Sequence, residues 1–125
     1  MRYVQLGVLG AIAFAGAAAA LTPQTEPIGP YRRAFRAECV KHEDAGYCEC
    51  ITSGFAQSLG PQELTMARYK RALDDAATPR ARAAAQRTIE RASARLGFAT
   101  PESRSDLFNR INALEADLQT TCGKP

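Results

Sequence analysis

Beyond Pro30, apolar side chains recur every three or four residues along most of the chain, and proline marks where most of these runs begin. Gly29-Pro30, Gly60-Pro61, Thr78-Pro79 and Thr100-Pro101 put proline at a first helical position, where its missing N–H would have no partner anyway. The two threonines add a capping oxygen. From Pro30, the positions of Tyr31, Ala34, Phe35 and Cys39 predict one apolar face on a helix ending near His42, with Asp44-Ala45-Gly46 as the turn. From Tyr47, a second stripe carries Cys48, Ile51, Phe55 and Leu59, with Cys50 on its flank. A third helix is predicted from Pro61 to about Ala76, with Met66, Tyr69, Leu73 and Ala76 inward and the adjacent Asp74 and Asp75 solvated. The fourth, Pro79 to Leu96, turns Ala81, Ala85, Ile89, Ala92 and Leu96 inward and ends at Gly97. With so many small residues, it must either approach its neighbours closely or pack loosely. The fifth, Pro101 to Thr121, carries Leu107, Ile111, Leu114 and Leu118, and Cys122 prolongs that stripe. Strand-like alternation and internal repeats are lacking, so the predicted fold is all-α, a compact bundle of about five short helices.

The first twenty residues follow a different rule. Met1-Arg2-Tyr3 supplies one positive charge, Val4 to Ala20 is uncharged and mostly apolar, and Ala18-Ala19-Ala20 offers small residues at a cleavage junction. Residues 1–20 therefore read as a signal peptide, cut after Ala20. An uncleaved inner-membrane anchor over residues 4–21 is the alternative, and only in that form would the chain hold a membrane. Residues 21–29, with two prolines, read as a flexible lead-in to a domain spanning 30–125.

Composition alters the first impression of the core. Hydrophobic residues make up 46% of the 125, but the leader is a large share of them and alanine much of the remainder. From Leu21 onward, Leu, Ile, Val and Phe together number 17. A core this thin needs covalent support. The net charge of +3, or +2 without Arg2, excludes a strongly basic nucleic-acid binder, and export argues against nucleic acid as well.

Four cysteines supply that support. In an exported chain Cys39, Cys48, Cys50 and Cys122 are expected to form two disulfides. Pairing Cys48 with Cys50 would close a strained ring, leaving Cys39–Cys48 with Cys50–Cys122, or Cys39–Cys50 with Cys48–Cys122. The competing chemistry is a metal or thiol-redox centre, because Cys39, His42, Cys48 and Cys50 form C-x2-H-x5-C-x-C. C-x-C is not the usual second half of a zinc site, and the C-x-x-C of a thiol-redox enzyme is missing, so no cofactor is expected.

A surface feature remains. Arg80, Arg87, Arg91 and Arg95 fall on one face of the fourth helix, opposite its apolar stripe, with Arg82 to one side and Glu90 interrupting. Such a face either solvates the helix or binds phosphate or carboxylate groups on an envelope protein or anionic surface. Catalytic constellations are missing: there is one histidine, and no Gly-x-Ser-x-Gly, Gly-rich phosphate loop or His-Glu-x-x-His. The chain is not expected to be an enzyme.

Cys39, then Tyr47-Cys48-Glu49-Cys50, then Gly60-Pro61-Gln62-Glu63-Leu64 and finally Cys122 resemble a pattern of small exported proteins of proteobacteria. The resemblance covers roughly residues 35 to 65 plus Cys122, and it implies compartment and disulfides, not an activity. The C-x8-C and C-x10-C spacings depart from the twin C-x9-C hairpins of mitochondrial import substrates. Small disulfide-bonded periplasmic immunity proteins share the expected architecture but no motif. The expectation is a periplasmic or secreted helical module that acts through surface contacts.

Overall fold

The computed structural model describes residues 28–123, so the expected signal peptide and most of the lead-in lie outside the described residues. Within them five helices follow one another: α1 (Gly29–Cys39), α2 (Ala45–Ser58), α3 (Pro61–Asp74), α4 (Pro79–Leu96) and α5 (Pro101–Cys122). No strand occurs among the described residues.

Local chemistry sets the boundaries. Proline stands in the first turn of α1, α3, α4 and α5, as its spacing in the chain predicts. Thr78 Oγ1 accepts the Ala81 N–H at 3.0 Å, and Thr100 Oγ1 accepts that of Ser103 at 3.1 Å. At α3 the cap is reversed: the Glu63 carboxylate accepts the Gly60 N–H at 3.1 Å. Gly97 and Gly123 end α4 and α5 at φ 94° and 77°, a conformation that a Cβ disfavours. Three expectations shift. Gly29, read as lead-in, is already helical, and Ile28 before it packs against the core. The reversal between α1 and α2 falls at Val40 to Glu43, not at Asp44-Ala45-Gly46. Asp44 accepts the Tyr47 N–H at 2.9 Å, and this cap starts α2 two residues before Tyr47. Finally, α3 stops at Asp74, short of Ala76.

α3 lies at the centre, with α1, α4 and α5 packed on it, while α2 pairs with α1 and with α5. Phe35 of α1 meets Phe55 of α2 edge to face, with ring centroids 5.1 Å apart. Around them are buried Ile51, Leu59, Leu64, Met66, Ile89, Leu107 and Ile111. The inner face of α3 is Leu64, Ala67 and Arg71 with Met66, while Tyr69 and Leu73 are only partly buried. Ala81, expected inside, is exposed, and burial on α4 is concentrated at Ile89, Ala92 and Ser93. The first turns of α4 therefore project beyond the core.

The disulfides are Cys39–Cys48 and Cys50–Cys122. Cys39 and Cys48 are fully buried, where α1 turns into α2. Cys50 lies two residues past Cys48, about 200° round the helix, and so faces α5 rather than α1. One turn further along, Gly54 lets α2 and α5 touch: a Cβ there would overlap the Leu118 side chain. Cys50 with Gly54, and Leu118 with Cys122, are four residues apart on their helices, so the bridge and the notch form one seam.

Among the described residues no helix is long and apolar enough to cross a membrane. Val40 is their single large exposed hydrophobic, at 40% exposure.

Candidate functional site

The arginine face of α4 follows from where that helix docks. Ile89, Ala92 and Ser93 take the buried side, so Arg80, Arg87, Arg91 and Arg95 all point to solvent. Arg82 is turned away and donates weakly to the Ala76 carbonyl at 3.5 Å.

Charge pairing distinguishes this run of arginines from several on the other helices. Arg36 binds Glu49 at 2.8 Å, Arg110 binds Glu63 at 2.8 Å and Arg71 binds Glu115 at 2.6 Å. Arg80, Arg87, Arg91 and Arg95 have no carboxylate within 4.0 Å among the described residues. Guanidinium groups left unpaired in this way suit bidentate contact with an oxyanion.

Arg95 also reaches a neighbouring groove. Between α1 and α4, with α3 as the floor, a depression of about 480 Å³ is lined by Tyr31, Ala34, Arg68, Tyr69, Arg95 and Leu96. Arg68 lies over the Tyr69 ring at 4.7 Å, within cation–π range. The groove thus offers apolar walls and two cations at one end of the arginine face.

The cysteine and histidine cluster takes a different form from the metal alternative. All four sulfurs are in disulfides, so the C-x2-H-x5-C-x-C set presents no thiolate, and His42 is exposed in the turn after α1. In this disulfide form Cys39, Cys48 and Cys50 offer no thiolate, the form in which cysteine binds a metal. No group of three or more His, Cys, Asp or Glu side chains stands ready for a metal among the described residues.

Asp74 is exposed and pairs with Lys70 at 2.7 Å, in keeping with a solvated side chain. Asp75 departs from that expectation: it is half-buried, and its Oδ2 is enclosed without a hydrogen-bond partner among the described residues.

The most consequential polar residue missed by helical periodicity is Arg71. It is 8% exposed, donates to Glu115 of α5, lies 3.9 Å from Glu43 before α2, and stacks 5.8 Å from the Phe35 ring. The signal was present in the register, since Leu64, Ala67 and Arg71 follow steps of three and four. Arg71 is structural, drawing three elements together.

Among the described residues Glu63 is the titratable group whose pKa is displaced. Burial raises it, but the Arg110 hydrogen bond, the Gly60 N–H and the Arg110 charge outweigh burial and hold the carboxyl below its usual 4.5.

Comparison of the chain with protein-family models, with curated proteins and with solved structures returned no match.

Proposed function

We propose that the chain is an exported, disulfide-stapled helical binding module that captures an acidic envelope protein through the arginine face of α4. The observation that carries this reading is a local one: Arg80, Arg87, Arg91 and Arg95 line one exposed face of a single helix with no carboxylate within 4.0 Å among the described residues, whereas Arg36, Arg71 and Arg110 are each held by one. A periplasmic or secreted location is supported by the leader-like residues 1–20, by two disulfides, and by the resemblance to small exported proteobacterial proteins.

The test is cross-linking of the exported protein in its own envelope, with mass spectrometry of what it captures. The triple substitution Arg87→Glu, Arg91→Glu and Arg95→Glu should abolish capture while leaving helicity intact, because all three side chains are exposed. Raising the ionic strength should release the partner from the native protein. An unchanged captured set would reduce the arginine face to solvation. Sequencing the purified chain from its N-terminus tests export separately: Leu21 first supports cleavage, and Met1 first supports the anchored form.

A further inference from the structure

We infer that the pocket between α1 and α2 is a binding site for a phosphate group. It is a separate place from the α4 face and stands whether or not that face binds a protein. The pocket holds about 310 Å³ and is lined by Gly29, Arg32, Arg33 and Arg36 of α1 with Glu49 and Thr52 of α2. Residues 29, 32, 33 and 36 are spaced as one face of a helix, so α1 turns three guanidinium groups toward the same opening.

Charge and polarity identify the ligand. Among the described residues Glu49 is the one carboxylate lining the pocket; it pairs with Arg36 at 2.8 Å and lies 3.9 Å from Arg32. Arg32 also donates to Ser53 Oγ at 3.0 Å. Arg33 has no carboxylate partner among the described residues, and its Nη1 folds back along the first turn of α1, 3.5 Å from where a Cβ on Gly29 would lie. Three cations against one anion leave an excess of two positive charges, which matches the charge of a phosphate monoester of about −1.5 to −2 at neutral pH. The independent observation is Thr52. It lines this pocket at 2% exposure, and its hydroxyl oxygen is buried with no hydrogen-bond partner among the described residues. Buried hydroxyls are seldom left unpaired, and in this assignment the Thr52 hydroxyl, closed off in the free protein, turns to the phosphate as a neutral donor when the ligand enters. Glu49 acts as an internal competitor, occupying in the free protein the guanidinium groups that phosphate would take.

The experiment is amide-resonance titration of the disulfide-bonded chain with inorganic phosphate, with glycerol 3-phosphate, and with vesicles carrying phosphatidic acid, against neutral phosphatidylcholine vesicles. Expected shifts centre on residues 29–36 and 49–53 and are absent with the neutral vesicles. Response to the soluble probes identifies a free phosphate ligand; response to phosphatidic acid alone identifies a lipid headgroup at the same site. Thr52→Val, which keeps shape, should weaken binding roughly tenfold, the value of one hydrogen bond to a charged group. Arg33→Ala should weaken it comparably, and Glu49→Gln should strengthen it. The triple glutamate variant of α4 should bind phosphate as the native chain does, which separates this site from the proposed protein-binding face. Shifts spread over α4 instead of α1 and α2, equal affinity for Thr52→Val, weaker binding by Glu49→Gln, or no response to any probe would overturn the assignment.

Discussion

The two disulfides close loops of very different length, and this makes their stabilities separable. Cys39–Cys48 spans nine residues and Cys50–Cys122 spans 72, and the two loops do not overlap in sequence. The chain-entropy relation assigns about 2.6 kcal/mol to the short closure and about 4.4 kcal/mol to the long one. Replacing cysteines obscures this difference, because Cys39 and Cys48 are fully buried and alanine there adds a cavity term of about 1 kcal/mol each. Reduction avoids the problem, since the thiols remain in place. The assay therefore uses two single-bridge proteins, Cys39→Ala with Cys48→Ala and Cys50→Ala with Cys122→Ala, each unfolded thermally with and without reductant and followed by far-ultraviolet circular dichroism. Reduction should cost the protein that retains Cys50–Cys122 about 2 kcal/mol more than the one that retains Cys39–Cys48. For a domain of this size that is a difference of about 10 °C in Tm. Equal losses, or a larger loss for the short bridge, would refute the entropic account and point to native contacts around the buried pair as the source of stabilisation.

Three further outcomes follow from the packing and charge already described. Arg71→Met should destabilise the fold by about 3 kcal/mol in urea unfolding, because the Glu115 carboxylate loses its 2.6 Å partner; adding Glu115→Met should recover much of that loss. Gly54→Ala should destabilise by about 1 kcal/mol, overpacking against Leu118 exceeding the helix-propensity gain, yet stabilise in a Leu118→Ala background where the overlap is gone. Equal effects in the two backgrounds would show that the seam is not tight. Because the folded pKa of Glu63 lies below 4.5, its contribution is fully present above that value and is lost as pH falls through the lowered one. The stability gap between the native protein and Glu63→Gln should therefore close on acidification, and a gap that persists at low pH would disprove the linkage.

Much of this architecture could be read before any coordinates, because helix starts are local events. Proline and threonine at 78–79 and 100–101 act on the N–H groups within one turn, so the starts of α4 and α5 depend on little else. The exposed arginines of α4 were equally legible, since the side opposite an apolar stripe faces water wherever the helix docks. Ala81 shows the limit: periodicity places it inward, but α4 extends past its support and leaves it exposed. Arg71 shows another, because a charged residue within a stripe is buried only if a carboxylate from a remote segment arrives to pair with it.

What the sequence by itself determined is therefore helical class, five segments with most of their starts, two staples and one cationic face. Tertiary structure alone decided that Cys50 reaches Cys122, that Leu118 fits over Gly54, and that three arginines of α1 line one pocket with Thr52 of α2, whose hydroxyl has no partner among the described residues. The physical reason is range. Capping and amphipathicity act over three or four residues, whereas a bridge across 72 residues, a notch and a pocket depend on which helix faces which.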